Sequence, residues 1–69
     1  MEYVKVIYPT TRQVLVDGQP SGNTNVVLLV EEGTHVFGVS GDPRTVQIEV
    51  TGTSGEFPLR ITDFQAEPS

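Results

Sequence analysis

The chain has neither cysteine nor tryptophan, and only four lysines and arginines stand against nine aspartates and glutamates. Without cysteine, no disulfide framework and no thiolate metal site can brace the fold, so an apolar core must hold it unaided. The formal net charge of −5 repels phosphate backbones and anionic lipid surfaces, which argues against nucleic acid as a partner. No run approaches the ~20 consecutive apolar residues of a membrane span. The N-terminus has no positively charged start followed by an apolar stretch, so neither membrane insertion nor a secretory leader is expected. Met1 reads as a start placed inside a longer protein rather than a native one. Sequence leaves the compartment open, an extracytoplasmic or envelope location being favoured if the chain is part of something larger.

Other absences concern chemistry. There is no G-x-x-x-x-G-K-[ST] phosphate cradle, no basic stripe joins Lys5, Arg12, Arg44 and Arg60, and Asn23-Thr24-Asn25 is not a glycosylation sequon. At 69 residues the chain suits one domain, and a domain of this size hides only about 60% of the surface its unfolded form exposes.

What the sequence does have is regular punctuation. Pro9, Gly18, Pro20, Gly22, Gly33, Gly38, Gly41, Pro43, Gly52, Gly55 and Pro58 leave few stretches able to hold three helical turns. Between them lie valine, isoleucine, threonine, tyrosine and phenylalanine, which suit a pleated surface and lose rotamer freedom in a helix. The pattern predicts strands over Tyr3 to Tyr8, Gln13 to Asp17 and Val26 to Val30. A further strand follows Gly33 through His35, Phe37 and Val39, then one over Thr45 to Thr51, and a last over Phe57 to Thr62. Asp17-Gly18 signals a tight turn, with Pro20 and Gly22 prolonging the loop.

Val26 to Val30 is apolar on both faces, and a short helix capped by Asn25 and ended by Gly33 competes there. Three χ1-stiff valines and the short length favour a strand. Pro58, which cannot donate to a ladder, places the last strand at an edge or the proline at its start. Phe37 and Phe57 are expected in the core. Tyr3 and Tyr8 fall on opposite faces of one strand, so one at most is buried by that face. About six strands with turns every ten residues or so predict an all-β fold, a small antiparallel β-sandwich of prealbumin or immunoglobulin-like type. The domain is expected to span residues 1–64, with residues 65–69 a tail or the start of a linker.

Particular residues also resemble a known family. Val14-Leu15-Val16-Asp17-Gly18 with Gly22 four residues on resembles the "V-x-V-D-G-x-x-x-G" core of the PEGA domain, a short bacterial and archaeal β-sandwich module. Thr24 stands where that loop carries threonine, and Glu32-Gly33-Thr34-His35-Val36-Phe37 resembles its hairpin. The chain departs from the pattern at Gln13, at Asn25 (where a proline is usual) and at Gly41-Asp42-Pro43. The resemblance implies a structural module, found in tandem or beside extracytoplasmic or signalling domains, with possible roles in cell-surface layers or glycan contact and no shared catalytic residue.

The residues point the same way. His35 is the only histidine. A Ser/His/Asp arrangement could draw on Ser40 or Ser54, but no nucleophile elbow is present, and a structural role for His35 is expected. Asp17, Glu31, Glu32, Asp42 and Glu56 lie near turns without the spacing of a calcium loop. The expectation is a non-catalytic structural or interaction module, a cell-envelope spacer or docking domain, without catalytic residues, metal or cofactor, whose partners are neighbouring domains or other proteins. The alternative is a carbohydrate-binding module in which Tyr3 or Tyr8 stacks on a sugar and Asn23 and Asn25 supply polar contacts. A calcium-tuned module or small enzyme ranks below both.

Overall fold

A computed structural model describes residues 1–64. They form seven strands and no helix: β1 (Glu2–Val6), β2 (Gln13–Val16), β3 (Gln19–Asn23), β4 (Val27–Val30), β5 (Gly33–Val39), β6 (Thr45–Val50) and β7 (Leu59–Ile61). The strands make two sheets, a three-stranded one in the order β4-β1-β7 and a four-stranded one in the order β3-β2-β5-β6. The expected all-β sandwich is what forms, and the Val26 to Val30 segment is a strand rather than a helix. The expected tail over residues 65–69 lies outside the described residues.

The core lies between the sheets. Period-two alternation turns Val4 and Val6 of β1, Val14 and Val16 of β2, Leu28 and Val30 of β4, Phe37 and Val39 of β5, Val50 of β6 and Ile61 of β7 inward, and Tyr8 and Phe64 complete the cluster. Val46 and Ile48 pack against it from β6, the face expected of them.

Three features differ from the sequence reading. β3 was expected to be loop. Asp17 (φ 53°) and Gly18 (φ 81°) form a two-residue turn with positive φ at both positions, which lets pairing restart at once between Val16 and Gln19. Pro20 is tolerated because β3 is an edge strand, and the ladder shifts register between Val14 and Leu15 as it passes. The second difference is that β1 and β7 run parallel, Val4 opposite Leu59 and Val6 opposite Ile61, within a sandwich otherwise paired antiparallel. The third corrects the core: Phe57 is 76% exposed, and Phe64 is the buried ring. Ser54 and Phe57 exchange backbone hydrogen bonds (3.2 and 3.1 Å), a tight turn that expels Phe57 before β7 begins. β7 does lie at a sheet edge, with Pro58 immediately before it.

Side chains add bonds at the ends of the ladders in both sheets. Thr24, buried, donates its hydroxyl to the Thr10 carbonyl (2.8 Å) and accepts from the Arg12 amide (2.9 Å). Asn25, at φ 65°, accepts from the Tyr8 amide (3.0 Å) and donates to the Tyr8 carbonyl (2.9 Å), acting as one more rung between the ends of β1 and β4. Thr53 donates its amide and hydroxyl to the Glu2 carboxylate (2.8 and 2.7 Å), and its hydroxyl oxygen accepts from the Tyr3 amide, tying the segment before β7 to the start of β1.

Candidate functional site on the outer face of the three-stranded sheet

The alternation that sends Val4, Val6, Leu28 and Val30 inward sends Tyr3, Lys5, Val27 and Leu29 outward. Pairing register arranges these four as a block: Tyr3 is opposite Leu29, and Lys5 is opposite Val27. On the far side of β1, Lys5 is opposite Arg60 of β7. One row across the sheet therefore reads Leu29 and Tyr3, and the next reads Val27, Lys5 and Arg60. Val27 and Leu29 remain 45% and 55% exposed, although full burial of such a side chain is favourable by about 1.5 to 3 kcal/mol. The turn holding Gly55 and Phe57 rides against this block, since a β-carbon on Gly55 would lie 3.8 Å from Cε1 of Tyr3. Phe57, two residues on in the same turn, is exposed.

The electrostatics of this face differ from those of the molecule. Of the four basic residues, Arg44 is bound to Asp42 and Arg12 lies over the Tyr8 ring, 5.9 Å from its centroid. Among the described residues Lys5 and Arg60 form no ion pair, and no acidic residue belongs to the Tyr3, Lys5, Val27, Leu29 and Arg60 block. Like charges directly across a ladder repel, so the pair is a small standing cost that a matching anion would remove.

The residues singled out from sequence do not converge on one site. Tyr8 is buried, and its hydroxyl donates to Asp42 Oδ2 (3.1 Å). Its ring is thus not open as a stacking platform. Asn25 is bonded to the Tyr8 backbone, which gives it a structural task. Asn23 ends β3, an edge of the other sheet, whereas Tyr3 stands on the outer face just described. Tyr8 and Asn25 are brought together, and Tyr3 and Asn23 are on different sheets.

His35 has both ring nitrogens engaged: Nδ1 with Asp17 Oδ2 and Nε2 with the Glu31 carbonyl, each at 2.7 Å. Two acceptors facing one imidazole favour the form in which both nitrogens carry hydrogen. The bonds to Asp17 and to the Glu31 carbonyl raise the histidine above its ordinary range, and the same His35 contact, with the Val36 amide, lowers Asp17. Neither serine of the hypothetical triad is among the ring's partners. Asp42, its side chain fully enclosed, takes Arg44 Nη2 at 2.6 Å and is held well below the usual carboxylate range by that guanidinium. Glu32 accepts from the Thr51 hydroxyl (2.7 Å). Among the described residues no three potential metal ligands gather.

Sequence reasoning passed over Lys5, Val27, Leu29 and Arg60. The available signal was the Val26 to Val30 run, apolar on both faces where an edge strand of a two-layer fold needs only one. Lys5 and Arg60 are far apart in sequence, and only strand pairing makes them neighbours. Comparison with family models, curated proteins and solved structures finds no match.

Proposed function

We propose that this chain is a non-catalytic β-sandwich module of PEGA-like type that works by docking to another protein, as a spacer or attachment domain of the cell envelope. The observation that carries the reading is the outer face of the three-stranded sheet, where Val27 and Leu29 stay about half exposed beside Tyr3 in a fold short of apolar side chains to bury. Contiguous apolar surface on a small soluble domain marks an interaction site. The side chains with chemical potential support the non-catalytic half of the reading. His35 and Asp17 are engaged with each other and with backbone, and Asp42 with Arg44, a use that rigidifies turns rather than freeing these groups as bases. The motif likeness set out above adds a module of matching size and class.

A photoreactive residue at position 29, with a second protein carrying it at position 49 on the four-stranded sheet, tests the reading in the full-length protein within its native cells. Cross-links to one discrete protein from position 29, absent from position 49 and lost with Val27→Asp, are the expected result. Equal labelling from both positions, or none from position 29, removes the docking assignment.

A further inference from the structure

We infer that the partner seated on this face is an acidic protein surface, with two carboxylates set beside an apolar or aromatic anchor. The inference rests on the docking reading and specifies its chemistry. Lys5 and Arg60 are side by side on β1 and β7, so their charges reinforce each other at one point, and Val27, Tyr3 and Leu29 border that point on the same face. Both cations are unpaired among the described residues, while Arg44 has Asp42 to neutralise it. A facing pair of carboxylates relieves the repulsion between the two cations as it forms its own contacts, and an aliphatic or aromatic side chain beside them, on the β4 side, covers Leu29 and Val27. The net charge of −5 opposes long-range attraction of an acidic partner, so the cations act at contact, setting register and selectivity rather than speed of encounter.

The neighbouring apolar side chains distinguish a protein from the other polyanions. Nucleic acid and anionic polysaccharide offer charge without an aliphatic surface to cover Leu29 and Val27. The Tyr3 ring, which a sugar would stack on, is half-buried and has the Gly55 turn against it. An acidic protein patch satisfies both halves of the face.

The test presents the folded chain to a display library of random short peptides, with soluble polygalacturonate as a separate probe. Selected peptides are expected to carry paired aspartate or glutamate next to an aromatic or aliphatic residue. Their affinity should fall about tenfold with Lys5→Glu, with Arg60→Glu and with Leu29→Asp, a loss typical of one contact at the centre of an interface. It should be unchanged by Glu49→Gln on the other sheet, and peptides with lysine in place of the acids should bind the Lys5→Glu, Arg60→Glu double variant. Amide spectra of each variant verify that the sandwich is intact. Peptides without an acidic bias that still lose affinity with Leu29→Asp overturn the acidic partner and keep the docking face. Peptides indifferent to all three substitutions overturn both, as does failure to select any. Binding of polygalacturonate that depends on Lys5 and Arg60, with no peptide selected, overturns the protein partner in favour of an acidic glycan.

Discussion

The two sheets are built by different means. The four-stranded sheet joins neighbours in sequence: β2 to β3 through the Asp17-Gly18 turn, and β5 to β6 through the turn at Gly41, with β2 and β5 side by side. The three-stranded sheet joins β1, β4 and β7, segments from the beginning, middle and end of the chain. Local turn chemistry fixes the first. The second has no such turns, and polar clasps from Asn25 to the Tyr8 backbone and from Thr53 to the Glu2 carboxylate join its strands across long sequence separations. Loop closure must be offset before contacts of that kind contribute, so the three-stranded sheet is the more conditional of the two, and it is also the one that carries the exposed apolar face.

Substitutions can break or sharpen that contrast. The largest effect is expected where the sheets meet at Gly22. Its φ is 150°, and a β-carbon there would collide with Cδ2 of Leu28 on β4. Gly22→Ala should lose about 3 kcal/mol in urea unfolding, since it combines overpacking with an unsuitable backbone angle. A loss near zero would mean that β3 and β4 are not in the close contact described. Thr24→Val comes next. It strands the Arg12 amide and removes a donor from Thr10, a change expected to cost about 2 kcal/mol, with Thr24→Ser recovering most of it. Hydrogen exchange should then quicken in β2 and β3, whose ladder the Thr24 and Arg12 bonds continue, more than in β1 and β7. Uniform quickening would show that the two sheets open as one unit and would erase the contrast.

The smallest effect is a pH dependence at the turn end of the four-stranded sheet. Because the folded His35 value is raised above 6.5, the stability it adds is complete below 6.5 and disappears as pH climbs through the folded value. Asp17 is lowered from 3.8, so its contribution is present above 3.8 and is lost as pH falls through its folded value. The contact among Asp17, His35 and the Glu31 carbonyl is therefore firmest between 3.8 and 6.5. Unfolding measured across pH for the natural chain and for His35→Gln should show a difference that narrows above neutrality, and amide signals of Val36 should move over the same interval. A difference that is flat with pH would mean the ring is neutral.

Legibility followed the same division. The alternation of Val46, Ile48 and Val50 and the Asp17-Gly18 dipeptide made the four-stranded sheet readable, because each signal is local. Pro20 hid β3, since a proline counts against a strand unless the strand is already known to lie at an edge. Phe57 has the parity of Leu59 and Ile61 and was read with them, but the backbone bonds between Ser54 and Phe57 break the strand before parity can act. For the candidate face, the excess apolar character of Val26 to Val30 was visible in the sequence. The adjacency of Lys5 and Arg60 was not, because it depends on a parallel pairing between opposite ends of the chain that no local pattern encodes.

That parallel pairing also governs how the domain would respond to tension. Glu2 begins β1 and Ile61 ends β7, so the start of one strand and the end of the other lie at opposite ends of their shared parallel ladder. A pull between the two ends slides β1 lengthwise past β7, and the rungs of that ladder, with the bond from the Ile7 amide to the Ile61 carbonyl, share the load in shear rather than unzipping one after another.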